Sequence, residues 1–162
     1  MMQARNVVRA IVLALIAAAC GGAAARSPGS AAATVSVRQV MGVGSVYTDS
    51  QGRSLYSPMQ EASGKISCTG SCTSIWIPLA APGTASPTKA PSVKGAVSVI
   101  TRPDGIRQVA LDGAPLYRFY QDTAAGEVNG NGIMDAFGTA SFTWHLETGG
   151  APVKGTPAVP GY

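Results

Sequence analysis

The 162-residue chain is poor in charge, in histidine and in basic clusters. Only 12% of its residues are charged, and the net charge of +4 comes without any run of Lys or Arg. Recognition of nucleic acid needs basic residues gathered on one face, so that class of partner is excluded. A single histidine, His145, excludes a His-rich metal or acid–base centre within one chain. No stretch after residue 20 carries the 3.6-residue apolar period over a helical length. Glycine (20) and proline (11) are abundant instead. Both supply turns and interrupt helices, which argues against a bundle or coiled coil.

What is present begins with an export signal. Arg5 and Arg9 form a basic start, and residues 10–19 (AIVLALIAAA) form an uncharged apolar run. A spanning helix takes roughly 20 apolar residues, so this run is about half a span and fits a signal peptide. The two arginines are not adjacent, which points to the general secretory route. The run ends in Ala17-Ala18-Ala19-Cys20, followed by Gly21-Gly22, and resembles the bacterial lipobox. That resemblance implies cleavage before Cys20 and acylation of its thiol and new amine, with residues 1–19 removed. Alanine at 17 stands where leucine is commoner, and cleavage at an ordinary A-x-A site is the alternative. Each buried CH₂ contributes about 0.8 kcal/mol, so several acyl chains on one residue hold a protein stably on a membrane. Losing Arg5 and Arg9 from a net +4 leaves +2 on the mature chain, too little for an electrostatic anchor. Residues 20–34 then read as the attachment point and a small, polar tether.

From residue 35 to 148 short β-branched and aromatic runs recur between turn signals. The runs are 43–48, 53–57, 75–79, 97–101, 106–111, 115–120 and 142–146. Asp112-Gly113 between two alternating runs is a strong hairpin signal, because both residues tolerate positive φ. The fold class expected is all-β and antiparallel. An echo runs through it: Gly52-Arg53-Ser54-Leu55-Tyr56 is matched by Gly113-Ala114-Pro115-Leu116-Tyr117, and Glu61 by Asp122. We read two degenerate strand–turn repeats, about 43–79 and 97–146, packed into one small domain because neither buries a hydrophobic face alone. Residues 80–96 are an extended connector, and the Gly/Pro-rich residues 149–162 a loose tail.

Leu116-Tyr117-Arg118-Phe119-Tyr120-Gln121-Asp122 fits a Tyr-x-aromatic-x-x-Asp motif. Cys68-Thr69-Gly70-Ser71-Cys72 followed by Trp76-Ile77-Pro78-Leu79 looks like the Cys-x-Gly-x-Cys, Trp-Pro-Pro-Leu stretch of the same family. The chain thus resembles the bacterial secreted-repeat lipoproteins over residues 43–146. The resemblance implies an envelope address and a fold, with no biochemical activity to carry over. In the first copy, Tyr56-Ser57-Pro58-Met59-Gln60-Glu61, proline replaces the aromatic and glutamate the aspartate, and Ile77 stands where proline is usual. The second copy is therefore the one expected to keep whatever role Tyr117, Phe119 and Asp122 have.

Each candidate site has a structural reading beside its chemical one. Cys68 and Cys72 are the only pair left once Cys20 is lipidated, and outside the cytoplasm they should be oxidised. A ring this small can meet disulfide geometry and stabilises by only about 2 kcal/mol. The alternative is a redox couple or a copper site, since Cys-x-x-x-Cys resembles the copper-binding spacing of respiratory-oxidase assembly proteins. Met59, His145, Met41 and Met134 would be further soft ligands. Those assembly proteins are thioredoxin-like, and no βαβ pattern is present here. Tyr117 and Phe119 share one face of a strand and read as core, with Asp122 capping the following turn through backbone N–H groups. Glu127-Val128-Asn129-Gly130-Asn131-Gly132 starts like a calcium loop but reaches Gly138 where a bidentate glutamate belongs. It reads as a flexible loop or an Asn-Gly turn, with Asp122 and Asp135 as remote calcium candidates. No nucleophile–base pair supports a hydrolase.

The sequence therefore predicts a monomeric, non-enzymatic interaction or structural module. It has no cofactor and is lipid-anchored to the outer leaflet of a plasma membrane or to an outer membrane. The rival is a periplasmic redox or copper-binding protein using Cys68 and Cys72.

Overall fold

The computed structural model describes residues 32–149, so Cys20, the signal segment and residues 150–162 lie outside the described residues. The turn-bounded runs become ten strands, whose ladders are all antiparallel. In chain order they are β1 (Ser36–Val40), β2 (Gly44–Thr48), β3 (Tyr56–Pro58), β4 (Trp76–Pro78) and β5 (Val97–Thr101). These are followed by β6 (Arg107–Leu111), β7 (Ala114–Pro115), β8 (Tyr117–Phe119), β9 (Met134–Phe137) and β10 (Ala140–Leu146). A 3-10 turn (Met59–Glu61) follows β3, and a single helical turn, α1 (Cys72–Ile75), leads into β4. Among the described residues no helix is long and apolar enough to cross a membrane.

Local chemistry explains the well-marked elements. Asp112 and Gly113 both take positive φ, 49° and 89°, and form the two-residue turn that sets Leu111 opposite Ala114. β10 alternates buried and open positions, so Phe142, Trp144 and Leu146 enter the core while His145 faces out. The run at 115–120 is split: β7 serves a three-stranded sheet of order β5-β6-β7. β8, one residue further on, serves a five-stranded sheet of order β4-β8-β3-β10-β9. β1 and β2 form a separate hairpin.

Strands β1 and β9 carry none of the runs that mark the others. Gln39 of β1 and Met134 and Ala136 of β9 face solvent, so neither segment concentrates apolar residues. β9 forms because β10 offers it a partner, Phe137 standing opposite Ala140 and Met134 opposite Thr143. Residues 126–132 correct the expectation of a flexible loop. Gly130 lies so close to the core that a Cβ there would meet Trp76 at 2.9 Å and Phe119 at 3.0 Å. Asn131 Oδ1 accepts the Leu146 N–H at 3.1 Å. Packing against the Trp76 ring and the Phe119 Cβ, which no short-range pattern displays, holds this segment in place.

Two buried clusters make the core. One gathers Tyr56, Trp76, Tyr117, Phe119, Phe142 and Trp144 with the two cysteines. The other gathers Leu55, Leu79, Val109, Leu111 and Leu116.

The sequence echo has a counterpart in the ladders. The centre of the five-stranded sheet is Tyr56 opposite Tyr117, the two equivalent tyrosines. On one side Trp76 stands opposite Phe119 and Pro78 opposite Tyr117. On the other, Trp144 stands opposite Pro58 and Leu146 opposite Tyr56. Beyond them the Leu79 N–H donates to the Leu116 carbonyl at 2.9 Å, and the Glu147 N–H donates to the Leu55 carbonyl at 2.8 Å. Isolated bridges repeat the exchange, Ala80 with Gln108 and Val46 with Thr148. Around that central tyrosine pair, a tryptophan-bearing segment of one copy pairs with the tyrosine-bearing segment or hairpin of the other.

Candidate functional site: two tyrosine–carboxylate pairs around a tryptophan stack

The motif residues converge on the middle of the domain. Trp76 and Trp144 are fully buried and stacked, with ring centroids 3.8 Å apart and planes within 8°. Phe119 lies against Trp76 at 4.7 Å, and Tyr117 meets Trp144 edge-on at 5.1 Å. Such ring pairs contribute about 0.5–1.5 kcal/mol each beyond area burial. A buried indole N–H needs an acceptor, and here one carboxylate serves both. Asp135 Oδ2 accepts from Trp76 Nε1 at 2.7 Å, and Oδ1 accepts from Trp144 Nε1 at 2.9 Å.

Around the stack the two copies exchange side chains. Tyr56 Oη donates to Asp122 Oδ2 at 2.5 Å, and Tyr117 Oη donates to Glu61 Oε2 at 2.6 Å. Each tyrosine is thus held by the carboxylate of the other copy. The remaining oxygens are engaged in the same way. Asp122 Oδ1 accepts the Asn129 N–H at 3.0 Å, and Glu61 Oε1 accepts the Cys68 N–H at 2.5 Å and the Ser67 N–H. Asn129 lies as far past Asp122 as Cys68 lies past Glu61.

The second copy is the one expected to keep the motif's role, and the first copy carries the same arrangement. Glu61, despite its extra methylene, performs the task of Asp122 and is as deeply buried, at 0% against 3% exposed. Asp122 does bond a backbone N–H as expected, but across a seven-residue loop rather than in the next turn, and its other oxygen belongs to Tyr56. Tyr117 and Phe119 share the buried face as expected, with Arg118 between them half-buried on the opposite face, 3.7 Å from Asp49.

One feature breaks the exchange. Arg102, 2% exposed, enters from the β5–β6 turn and donates to Gln108 Oε1 at 2.7 Å, Tyr117 Oη at 3.1 Å and the Cys68 carbonyl at 2.7 Å. Its Nε pairs with the more exposed Asp104 at 3.1 Å. The Tyr117–Glu61 pair therefore has a cation beside it. Nothing in the alternation around Pro103-Asp104-Gly105 marks Arg102 as buried; its neighbours are turn residues. Sequence reasoning likewise missed Gln108 and the role of Asp135, which only the position of the tryptophans reveals.

Burial sets the protonation of this cluster. It pushes the Tyr56 hydroxyl well above the ordinary 10.0, and the negative Asp122 beside it adds to the rise. Burial also raises Tyr117, with Glu61 adding and Arg102 opposing. Asp122 is raised by burial, offset in part by hydrogen bonds from Tyr56 and Asn129. The two tyrosines, held neutral in this way, contribute stability that is complete below the unfolded tyrosine value of 10.0. It is lost as pH rises above that value toward the folded ones. In an alkaline titration, tyrosinate absorbance from Tyr56 and Tyr117 is expected to appear together with loss of the tryptophan circular dichroism. A Tyr56→Phe variant should lose amplitude from that coupled step. Amplitude lost from a step near pH 10 in the folded protein would refute the assignment.

Cys68 and Cys72 are both buried and joined in a disulfide, with Cα atoms 5.3 Å apart. In this state neither offers a thiolate. The other soft ligands named from sequence all lie at the surface: Met41, Met59 and Met134 are exposed, and His145 faces outward on β10. Among the described residues no group of three His, Cys, Asp or Glu side chains is arranged to hold a metal ion. The two carboxylates weighed for calcium, Asp122 and Asp135, have both oxygens engaged by Tyr56 and Asn129 and by the two indoles. An open surface depression of ≈ 330 Å³ is lined by residues of β1 and the turn after β2, including Arg38, Asp49 and Gln51. None of the motif residues lines it.

The geometry is that of a structural clasp: every carboxylate oxygen of the motif receives a donor from the fold. No curated protein and no solved structure matches the chain. Residues 98–145, which carry β8, Asp122, Asp135 and Trp144, match the model of a family described as a secreted repeat of unknown function, the family that the tyrosine–aromatic–aspartate motif resembles.

Proposed function

We propose that the protein is a non-enzymatic module displayed at the cell envelope, tethered through an acylated Cys20 and acting by interaction rather than by turnover. The observation that carries this reading is the engagement of the motif. Glu61 and Asp122 spend both oxygens on tyrosine hydroxyls and backbone N–H groups inside the core. A general acid or base must reach a substrate proton, and buried carboxylates saturated by the fold do not. The export signal and the match to a secreted repeat support the address. The lipobox-like Ala17-Ala18-Ala19-Cys20 supports the lipid anchor.

The test is fractionation of the full-length chain expressed in a bacterium. The wild-type protein is expected in the membrane pellet, with an intact mass above that of the chain beginning at Cys20. The Cys20→Ala variant is expected in the soluble exported fraction. A variant that stays fully membrane-bound, or a wild-type protein without added acyl mass, overturns the anchoring.

A further inference from the structure

We infer that each half of the domain is a binding site for the other, so that the partner this fold recognises is a second copy of the same repeat, in its own chain or in another. The basis is where the ladders run. β3 and β4, from the first copy, and β8, from the second, pair only across the boundary between copies. A strand without a ladder partner leaves its backbone groups unsatisfied, so none of the three is stable within its own half.

The side chains follow the same rule. Tyr56 bonds Asp122, Tyr117 bonds Glu61, and Trp76 stacks on Trp144. Within either half alone, a tyrosine hydroxyl, a carboxylate and one tryptophan face would be stripped of their partners together. What remains local is the hairpin β1–β2, the sheet β5-β6-β7 and the hairpin β9–β10, each with an apolar face uncovered. Recognition is specific because register places donor against acceptor. A slip of one residue would turn Tyr56 and Tyr117 away from the core.

The covalent link between halves is the connector 80–96, whose residues 82–86 are exposed. A tether of this length gives an effective concentration on the order of millimolar, which favours closure within one chain. Severing it converts the same contacts into a bimolecular complex, and opens each half to exchange with another copy. None of this needs the lipid anchor, so release of a Cys20→Ala variant from the membrane leaves it untouched.

The experiment uses the folded full chain with a protease recognition sequence placed at 84–86. After cleavage without denaturant, the two fragments are expected to travel as one particle of the uncut domain's size with unchanged tryptophan circular dichroism. Separated in denaturant and returned singly to buffer, neither should recover that signal. Remixed, they should recover it to an extent that rises with fragment concentration. Incubation with cleaved protein tagged on its second copy should yield tagged particles carrying untagged first copies. Fragments that part on cleavage, a single fragment that regains the native signal, or a failure to recombine or exchange would each overturn the inference.

Discussion

Glu61→Ala is expected to lower stability by about 3–5 kcal/mol, the range for removing one member of a buried charged hydrogen-bond network. The substitution leaves the Tyr117 hydroxyl and the Ser67 and Cys68 N–H groups without their acceptor. It also leaves the buried Arg102 guanidinium beside a tyrosine that no longer has an anion behind it. Glu61→Asp, which installs the residue found at the equivalent place in the second copy, should recover part of the loss. Urea unfolding followed by tryptophan fluorescence measures both. A loss below about 1 kcal/mol for Glu61→Ala, within the range of a neutral hydrogen bond, would show that the network is not integral to the fold.

Trp144→Ala is the second large effect, about 3–5 kcal/mol from the cavity and the lost burial together. Trp144 is fully buried, stacks on Trp76 and meets Tyr117 and Phe142. Its removal also frees one oxygen of Asp135. The stack makes this variant readable by spectroscopy, since two parallel indoles at 3.8 Å couple their electronic transitions. The far-ultraviolet band arising from that coupling should vanish in Trp144→Ala and equally in Trp76→Ala. If it survives either substitution, the two rings are not stacked in solution. Because Trp76 and Trp144 contact each other, their effects should not add: the double variant is expected to lose less than the sum of the two.

The elements that could be read from the chain are those with local causes. Asp112-Gly113 forms its turn because both residues accept positive φ. Tyr117 and Phe119 lie on one buried face because strand side chains alternate with period two. Cys68 and Cys72 meet because four residues of separation bring their Cα atoms within bonding reach. β9 was not legible, since Met134-Asp135-Ala136-Phe137 puts apolar Met134 and Ala136 on the exposed positions and its existence depends on β10. The order of residues 126–132 was not legible either, because it comes from Gly130 lying against the Trp76 ring, which is distant in sequence.

The sequence by itself determined the turn-delimited strands, the all-β class and the internal echo. Each of these is written in short stretches of the chain, through turn chemistry, alternation or a repeated run. Only the tertiary structure decided that the two copies interleave rather than sit side by side. Only it revealed that Tyr56 answers to Asp122 and Tyr117 to Glu61, and that Asp135 holds both indoles. The physical reason is sequence distance. Apart from the local Trp144–Asp135 bond, those contacts join residues dozens of positions apart, and a buried donor's need for an acceptor specifies a kind of partner but not which copy supplies it. Arg102 makes the same point: one charged residue after a strand reads as surface until the fold closes Gln108, Tyr117 and the Cys68 carbonyl around it.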